Sequence, residues 1–118
     1  MAEILNRDEL LDRVEGDLDL LKELVCLFSQ EYPELVRKLN ETIEKGEDAR
    51  TRDLAHTLKG SVSNFAIGPA FYAAKAMEDI GRGGDLSGAR EAMVTLEQEL
   101  KRLEQALEEV CSAGGPLS

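Results

Sequence analysis

The apolar residues of this chain recur at spacings of three and four, and no stretch alternates between apolar and polar positions as a β-strand does. This pattern is typical of amphipathic helices that each bury one face. It predicts a short first helix, a long second helix and three further helices, over about residues 7–15, 18–45, 47–66, 69–80 and 86–110.

Polar residues and glycines at the predicted helix ends support these boundaries. Asn6 and Asp17 can cap the first and second helices, because short polar side chains accept hydrogen bonds from free backbone N–H groups. Gly16 and Gly46 fit the positions just beyond the ends of the same two helices. Pro33 lies inside the second helix, and since the apolar stripe keeps its phase across it, we predict a kink rather than a break.

The four long helices are joined by short turns, one of them the predicted loop GRGGDLSG at residues 81–88. Such an order is typical of an antiparallel up-and-down bundle. The predicted fold is therefore all-α: a four-helix bundle with a short extra N-terminal helix, formed as one domain by residues 1–118, with a fraying tail at 113–118. The predicted core stripe of the second helix consists of Leu20, Leu24, Leu27, Phe28, Leu35, Leu39 and Ile43.

The charge of the chain limits the classes of partner. The formal net charge is −10, which argues against binding to nucleic acid or insertion into an anionic membrane, but is compatible with a basic protein surface. No apolar run is long enough for a membrane span and the N-terminus does not read as a signal peptide, so a cytoplasmic protein is expected. Cys26 and Cys111 sit among apolar residues and are predicted to be small buried hydrophobes.

The segment LAHTLKGSVSNF, residues 54–65, contains the only histidine of the chain. On a helical wheel of about 100° per residue, His56 falls roughly 150° from the centre of the buried face and should face water. Its surface neighbours would be Arg52, Lys59, Gly60 and Ser63.

An exposed imidazole is a competent nucleophile near neutral pH, and the two nearby cations would suit an arriving dianionic phosphoryl group. Gly60 would leave open space beside the ring, although a glycine inside a helix costs about 1 kcal/mol relative to alanine. An ordinary solvated histidine on a charged face fits the spacing equally well, so spacing alone leaves both interpretations open.

The sequence AHTLKGSVSNF resembles the signature of histidine-containing phosphotransfer (HPt) domains of bacterial phosphorelays. The similarity covers nearly the whole chain, which is also similar to the C-terminal modules of hybrid sensor kinases. It implies that His56 accepts a phosphoryl group from a receiver phospho-aspartate and passes it to the aspartate of a response regulator. Lys59 would stabilise the phosphoryl charge and Gly60 would make room for the receiver's loops. Ser63 and Asn64 stand where the family often has small or polar residues, and Arg52 is a candidate only from its place beside His56 on the helical wheel.

The resemblance also implies a monomeric carrier with no cofactor of its own, since the receiver would supply Mg²⁺. GRGGD follows a helix and lacks the Lys-Ser/Thr ending of a nucleotide-binding loop, so the chain is not expected to be an ATP-dependent kinase. In one departure from the family pattern, Ala66 stands where a glycine is common, which affects the end of the third helix rather than the chemistry. Whether the chain is free-standing or part of a larger sensor kinase stays open, and the likeness favours the second.

Two other classes compete with phosphotransfer. An adaptor bundle without chemistry would have the same apolar stripes but no reason to group His56, Lys59 and Gly60. A haem or di-metal bundle needs inward-facing ligands, and one outward histidine without a Glu-x-x-His pair does not supply them.

Overall fold

The structure is a computed structural model that describes residues 4–113. All regular elements in this part of the chain are α-helices, which confirms the predicted fold class. The five helices are α1 (Arg7–Arg13), α2 (Leu18–Lys45), α3 (Asp48–Ser63), α4 (Pro69–Gly83) and α5 (Ala89–Ala113). The tail predicted at 113–118 lies outside the described residues, except that α5 extends to Ala113.

The starts of α1 and α2 and the end of α2 follow the capping residues that the sequence indicates. The side chains of Asn6 and Asp17 accept hydrogen bonds from the backbone of Glu9 and Leu20, respectively. Gly46 ends α2 with φ +71, a left-handed conformation that glycine adopts without strain. Helix α2 continues through Pro33 rather than splitting, as predicted.

The four long helices form a closed ring, in which α2 packs on α3, α3 on α4, α4 on α5 and α5 on α2. Neighbours run antiparallel: the rings of Phe28 and Phe65 pack at a tilt at one end of the α2–α3 seam, whereas Thr42 and Thr51 form a hydrogen bond of 2.8 Å at the other. At the adjacent seam of the ring, between α2 and α5, the Tyr32 hydroxyl donates to Glu104 of α5. The ring encloses one apolar core built mainly from leucine, alanine and valine.

Helix α1 covers one end of this core. It buries Leu10, and Val14 just beyond it is also buried. The Arg13 guanidinium donates a hydrogen bond of 2.5 Å to the carbonyl oxygen of Ser63, the last residue of α3. A cation is favourable there, because the last carbonyls of a helix have no partner within the helix and carry partial negative charge. The short helix therefore caps the bundle and stabilises the end of α3.

Three details of the sequence prediction are wrong. Leu20 and Leu27 are 40% and 59% exposed, and the buried stripe of α2 begins instead with Leu21, Val25 and Phe28. Cys26 is exposed rather than buried. The predicted 81–88 loop is shorter, because α4 continues through Gly83.

The first error has a simple cause. The first half of α2 has apolar residues on two adjacent faces, and both faces satisfy the spacing of three and four. Which of them is buried depends on how α2 packs against the neighbouring helices. Cys26 follows Val25 and consequently lies on the outer face.

Candidate functional site

His56 lies on the outer surface of α3, with 67% of its side chain exposed. The opposite face of α3 is buried and includes Ala55, Leu58 and Val62. The exposure predicted from the helical wheel is therefore confirmed. An accessible ring on a rigid helix is the geometry that a nucleophile needs in order to meet a macromolecular partner.

The imidazole is not an isolated surface group, because α4 brings a carboxylate to it. Glu78 is 5% exposed in its side chain and accepts a hydrogen bond of 2.8 Å from Nδ1 of His56. The other carboxylate oxygen is 2.7 Å from Nζ of Lys59. Arg82, a second cation beside Lys59, reaches Glu78 from one turn further along α4, at 3.2 Å. We call Glu78 and its three partners His56, Lys59 and Arg82 the carboxylate cluster.

The carboxylate cluster keeps Glu78 ionised. The hydrogen bond from Lys59 lowers the pKa of the Glu78 carboxyl to about 2, with further lowering by His56, while burial opposes the change. An ionised carboxylate can only accept, so Nδ1 of His56 must carry the proton of this hydrogen bond. A neutral imidazole has one N–H group, and its lone pair is therefore left on Nε2. The cluster thus fixes the tautomer in which Nε2 is the nucleophilic atom.

The lowered pKa of Glu78 implies that the free energy of unfolding depends on pH. Its folded pKa lies below the ordinary value of 4.5, so the carboxylate stabilises the fold above about pH 4.5, and this contribution is lost as the pH falls towards 2. We expect Glu78→Gln to lower the unfolding free energy by on the order of 2–3 kcal/mol at neutral pH, and by much less near pH 2. Urea unfolding at a series of pH values measures the difference.

The matched control for this measurement is Glu97→Gln, at an exposed glutamate of α5 that forms no ion pair among the described residues. Its effect should be small at every pH. A Glu78→Gln penalty that is the same at pH 7 and at pH 2 would contradict the assignment of the stabilisation to the ionised carboxylate.

The other residues predicted for the site differ in their contacts, and not all of them reach the carboxylate cluster. Gly60 is exposed, and a Cβ atom built on it would meet nothing within 4 Å, so the open space beside His56 is real. The guanidinium of Arg52 donates to its neighbour Asp53 at 3.0 and 3.2 Å rather than to the carboxylate cluster. The hydroxyl of Ser63 donates to the carbonyl of Gly60 at 2.7 Å. Lys59 is only 23% exposed, because it turns towards Glu78.

Sequence reasoning missed Glu78 and Arg82. Glu78 lies 22 residues from its histidine along the chain, and no local spacing links the two residues. A signal was nevertheless present: Glu78 continues the buried stripe of Ala70 and Ala74 at a spacing of four, and a carboxylate on an apolar stripe requires a partner. Arg82 follows four residues later, at the spacing of an ion pair within a helix.

The sequence model of the Hpt domain matches residues 23–106, which include His56, Lys59 and Glu78. The chain belongs to the Hpt domain family. No curated protein matches the sequence.

The fold of the family is also present in a solved structure. An HPT domain from the Hpt sensor hybrid histidine kinase of Shewanella superposes on this Hpt domain with a TM-score of 0.75 at 21% identity, over 93% of this chain and 95% of that one. At that identity the likeness concerns the fold. The family implies phosphotransfer in phosphorelays, in which Hpt domains act as carriers rather than kinases. No helix among the described residues of this Hpt domain is long and apolar enough to cross a membrane.

Proposed function

We propose that this Hpt domain carries a phosphoryl group on Nε2 of His56, received from a phospho-aspartate of one receiver domain and passed to the aspartate of another. The observation that supports this most strongly is the hydrogen bond of 2.8 Å between Nδ1 and the buried Glu78, which leaves the Nε2 lone pair on the exposed side chain. An adaptor has no need of an oriented imidazole.

The transfer step uses groups that the chain holds in place. Nε2 attacks phosphorus in line with the aspartyl oxygen, so that an N–P bond forms as the acyl P–O bond breaks and the aspartate leaves as a carboxylate. The ring gains positive charge, which the Glu78 carboxylate balances through the Nδ1 proton. This is electrostatic stabilisation by a group that is already oriented before the reaction begins.

Lys59 and Arg82 are the cations closest to this chemistry, since both contact the carboxylate that holds the imidazole. We propose that Lys59 shares its charge between Glu78 and the phosphoryl oxygens, and that Gly60 gives the receiver access. Arg52 and Ser63 are proposed to contribute less, because their polar groups already bond to Asp53 and to the backbone. The Mg²⁺ ion that phosphoryl transfer uses would come with the receiver.

This proposal is tested by phosphoryl transfer itself. The protein is incubated with a panel of receiver domains labelled on aspartate, and the label that moves to the protein is examined for its stability. We expect label that is lost in acid and kept in base, as an N–P bond requires. Binding of receivers without transfer would favour the adaptor alternative, and the absence of transfer from every receiver that labels another Hpt domain would contradict the proposal.

We also propose that this Hpt domain acts as a monomeric, cytoplasmic carrier.

A further prediction concerns Lys59. Lys59→Ala removes a charge-assisted contact worth about 1.5–3 kcal/mol, so we expect slower transfer or a shorter phosphohistidine lifetime in a domain that still folds. Single-turnover transfer from a labelled receiver and decay of isolated phosphoprotein measure the two effects. The control is Lys75→Ala, which removes an exposed lysine that, among the described residues, pairs only with Asp79. Equal rates for the two variants at low salt would place Lys59 among ordinary surface charges.

A further inference from the structure

Helices α3 and α4 approach each other unusually closely at Gly81. This glycine is buried, and a Cβ atom built on it would lie 2.5 Å from the backbone nitrogen of Arg52 and 2.8 Å from its Cα. Ordinary contacts of a Cβ atom begin at 3.4 Å. Because glycine within a helix costs up to about 1 kcal/mol relative to alanine, its presence here needs a reason, and the close contact supplies one.

The segment of α3 that faces Gly81 has little freedom to move away. Thr51, next to Arg52, is fully buried, and its hydroxyl bonds to the carbonyl of Glu47 at 2.9 Å and to Thr42 of α2 at 2.8 Å. These bonds fix the start of α3 on α2. A side chain at position 81 would therefore displace α4 rather than α3.

The close contact lies one turn from the carboxylate cluster. Since the two helices are antiparallel, their contacts follow one another along the seam in levels one turn apart. At the first level Gly81 contacts Arg52, and at the second Glu78 contacts His56. At the second level the carboxylate forms its bonds of 2.8 and 2.7 Å to His56 and Lys59. The separation of the helices at Gly81 thus determines how far Glu78 must reach.

We propose that Gly81 is a positioning residue, whose missing side chain holds α4 close enough to α3 for Glu78 to orient the imidazole of His56. The effect on phosphotransfer rests on the proposed function. The orientation of the His56 imidazole can be measured without any phosphoryl transfer. Gly81 contacts neither the imidazole nor the phosphoryl group, and acts only through the distance between two helices.

The geometry predicts what a methyl group would do. Relieving the contact with Arg52 requires α4 to move outward by about 1 Å at this level. Hydrogen bonds of 2.7–2.8 Å would then be stretched beyond the range in which they are strong. Arg82 would keep its bond to Glu78, because both residues move with α4.

The test compares Gly81→Ala with Gly83→Ala. Gly83 is in the same helix, but a Cβ atom at that position meets nothing within 4 Å, so its variant controls for the change in helix propensity. The chain has one histidine, so ¹⁵N-histidine labelling gives one pair of ring signals, whose shifts report the tautomer directly. Glu78 carboxyl ¹³C shifts, assigned with Glu78→Gln, report the pKa of that group.

In Gly81→Ala we expect the Nδ1–H tautomer to lose its dominance and the pKa of Glu78 to rise from about 2 towards 4.5. We expect Gly83→Ala to match the unsubstituted protein in both measurements. Transfer from a receiver should fall by about tenfold or more in Gly81→Ala, since small displacements of reacting groups are costly. In the Glu78→Gln background, adding Gly81→Ala should have no further effect on the tautomer.

Two outcomes would overturn the proposal. One is a Gly81→Ala protein that is less stable but keeps the tautomer and the Glu78 pKa of the original, which would make Gly81 a packing residue only. The other is a variant that does not fold even with sucrose, which strengthens burial, because the glycine would then serve the whole bundle. If no receiver transfers to the original protein while both shifts still change in Gly81→Ala, the positioning holds and only the proposed function fails.

Discussion

His56→Gln is expected to abolish phosphoryl acceptance while leaving the bundle folded. The side chain is 67% exposed and contributes nothing to the core, and a surface substitution usually changes the unfolding free energy by no more than about 0.5 kcal/mol. Glutamine has a similar reach and an N–H group for Glu78, but no nucleophilic nitrogen. Labelling by a phosphorylated receiver measures phosphoryl acceptance, and a urea unfolding curve of the same variant measures its stability.

The control for this variant is its binding to an unphosphorylated receiver, which should persist because the docking surface is unchanged. Residual labelling on another side chain would show that His56 is not the acceptor. A large loss of stability would instead indicate that the imidazole has a structural role, through its bond to Glu78.

Gly60→Gln is expected to reduce transfer from a receiver by at least tenfold without weakening the fold. A Cβ atom at this position meets nothing within 4 Å, and removing glycine from a helix is favourable by itself. A long side chain one turn from His56 would, however, obstruct a receiver that must bring its aspartate in line with the imidazole. A small donor such as phosphoramidate, if it labels the original protein, should label this variant nearly as well.

Gly83→Gln is the matched control, because Gly83 also lies in a helix with open space around it. It should transfer at the original rate. If Gly60→Gln does so as well, close approach of the receiver is not the reason for the glycine, and if Gly60→Gln unfolds the bundle, the open space described beside His56 is wrong.

The sequence predicted the five helices, the side-chain caps of α1 and α2 and the exposed face of α3, because these depend on residues close together along the chain. Asn6 caps α1 by bonding only three residues ahead, and the exposure of His56 follows from the apolar residues of its own helix. Such local relations do not require knowledge of the packing.

What the sequence did not predict depends on contacts between helices. The pairing of Glu78 with His56 needs the register of α3 against α4, and the burial of Leu21 rather than Leu20 needs the packing of α2 against its neighbouring helices. The role of Gly81 is a third case. The segment GRGG looks like a loop in the sequence, whereas its first glycine is the contact that sets the spacing of two helices.

The closed ring of helices also determines where chain entropy is lost during folding. Three of its four seams join helices that are consecutive in the sequence, so short loops bring them together at little cost. The seam between α2 and α5 is different, since its hydrogen bond between Tyr32 and Glu104 spans 72 residues. Closing that seam is the least local step in forming the bundle. It raises the contact order, which is otherwise low, and a low contact order is what allows helical proteins to fold quickly.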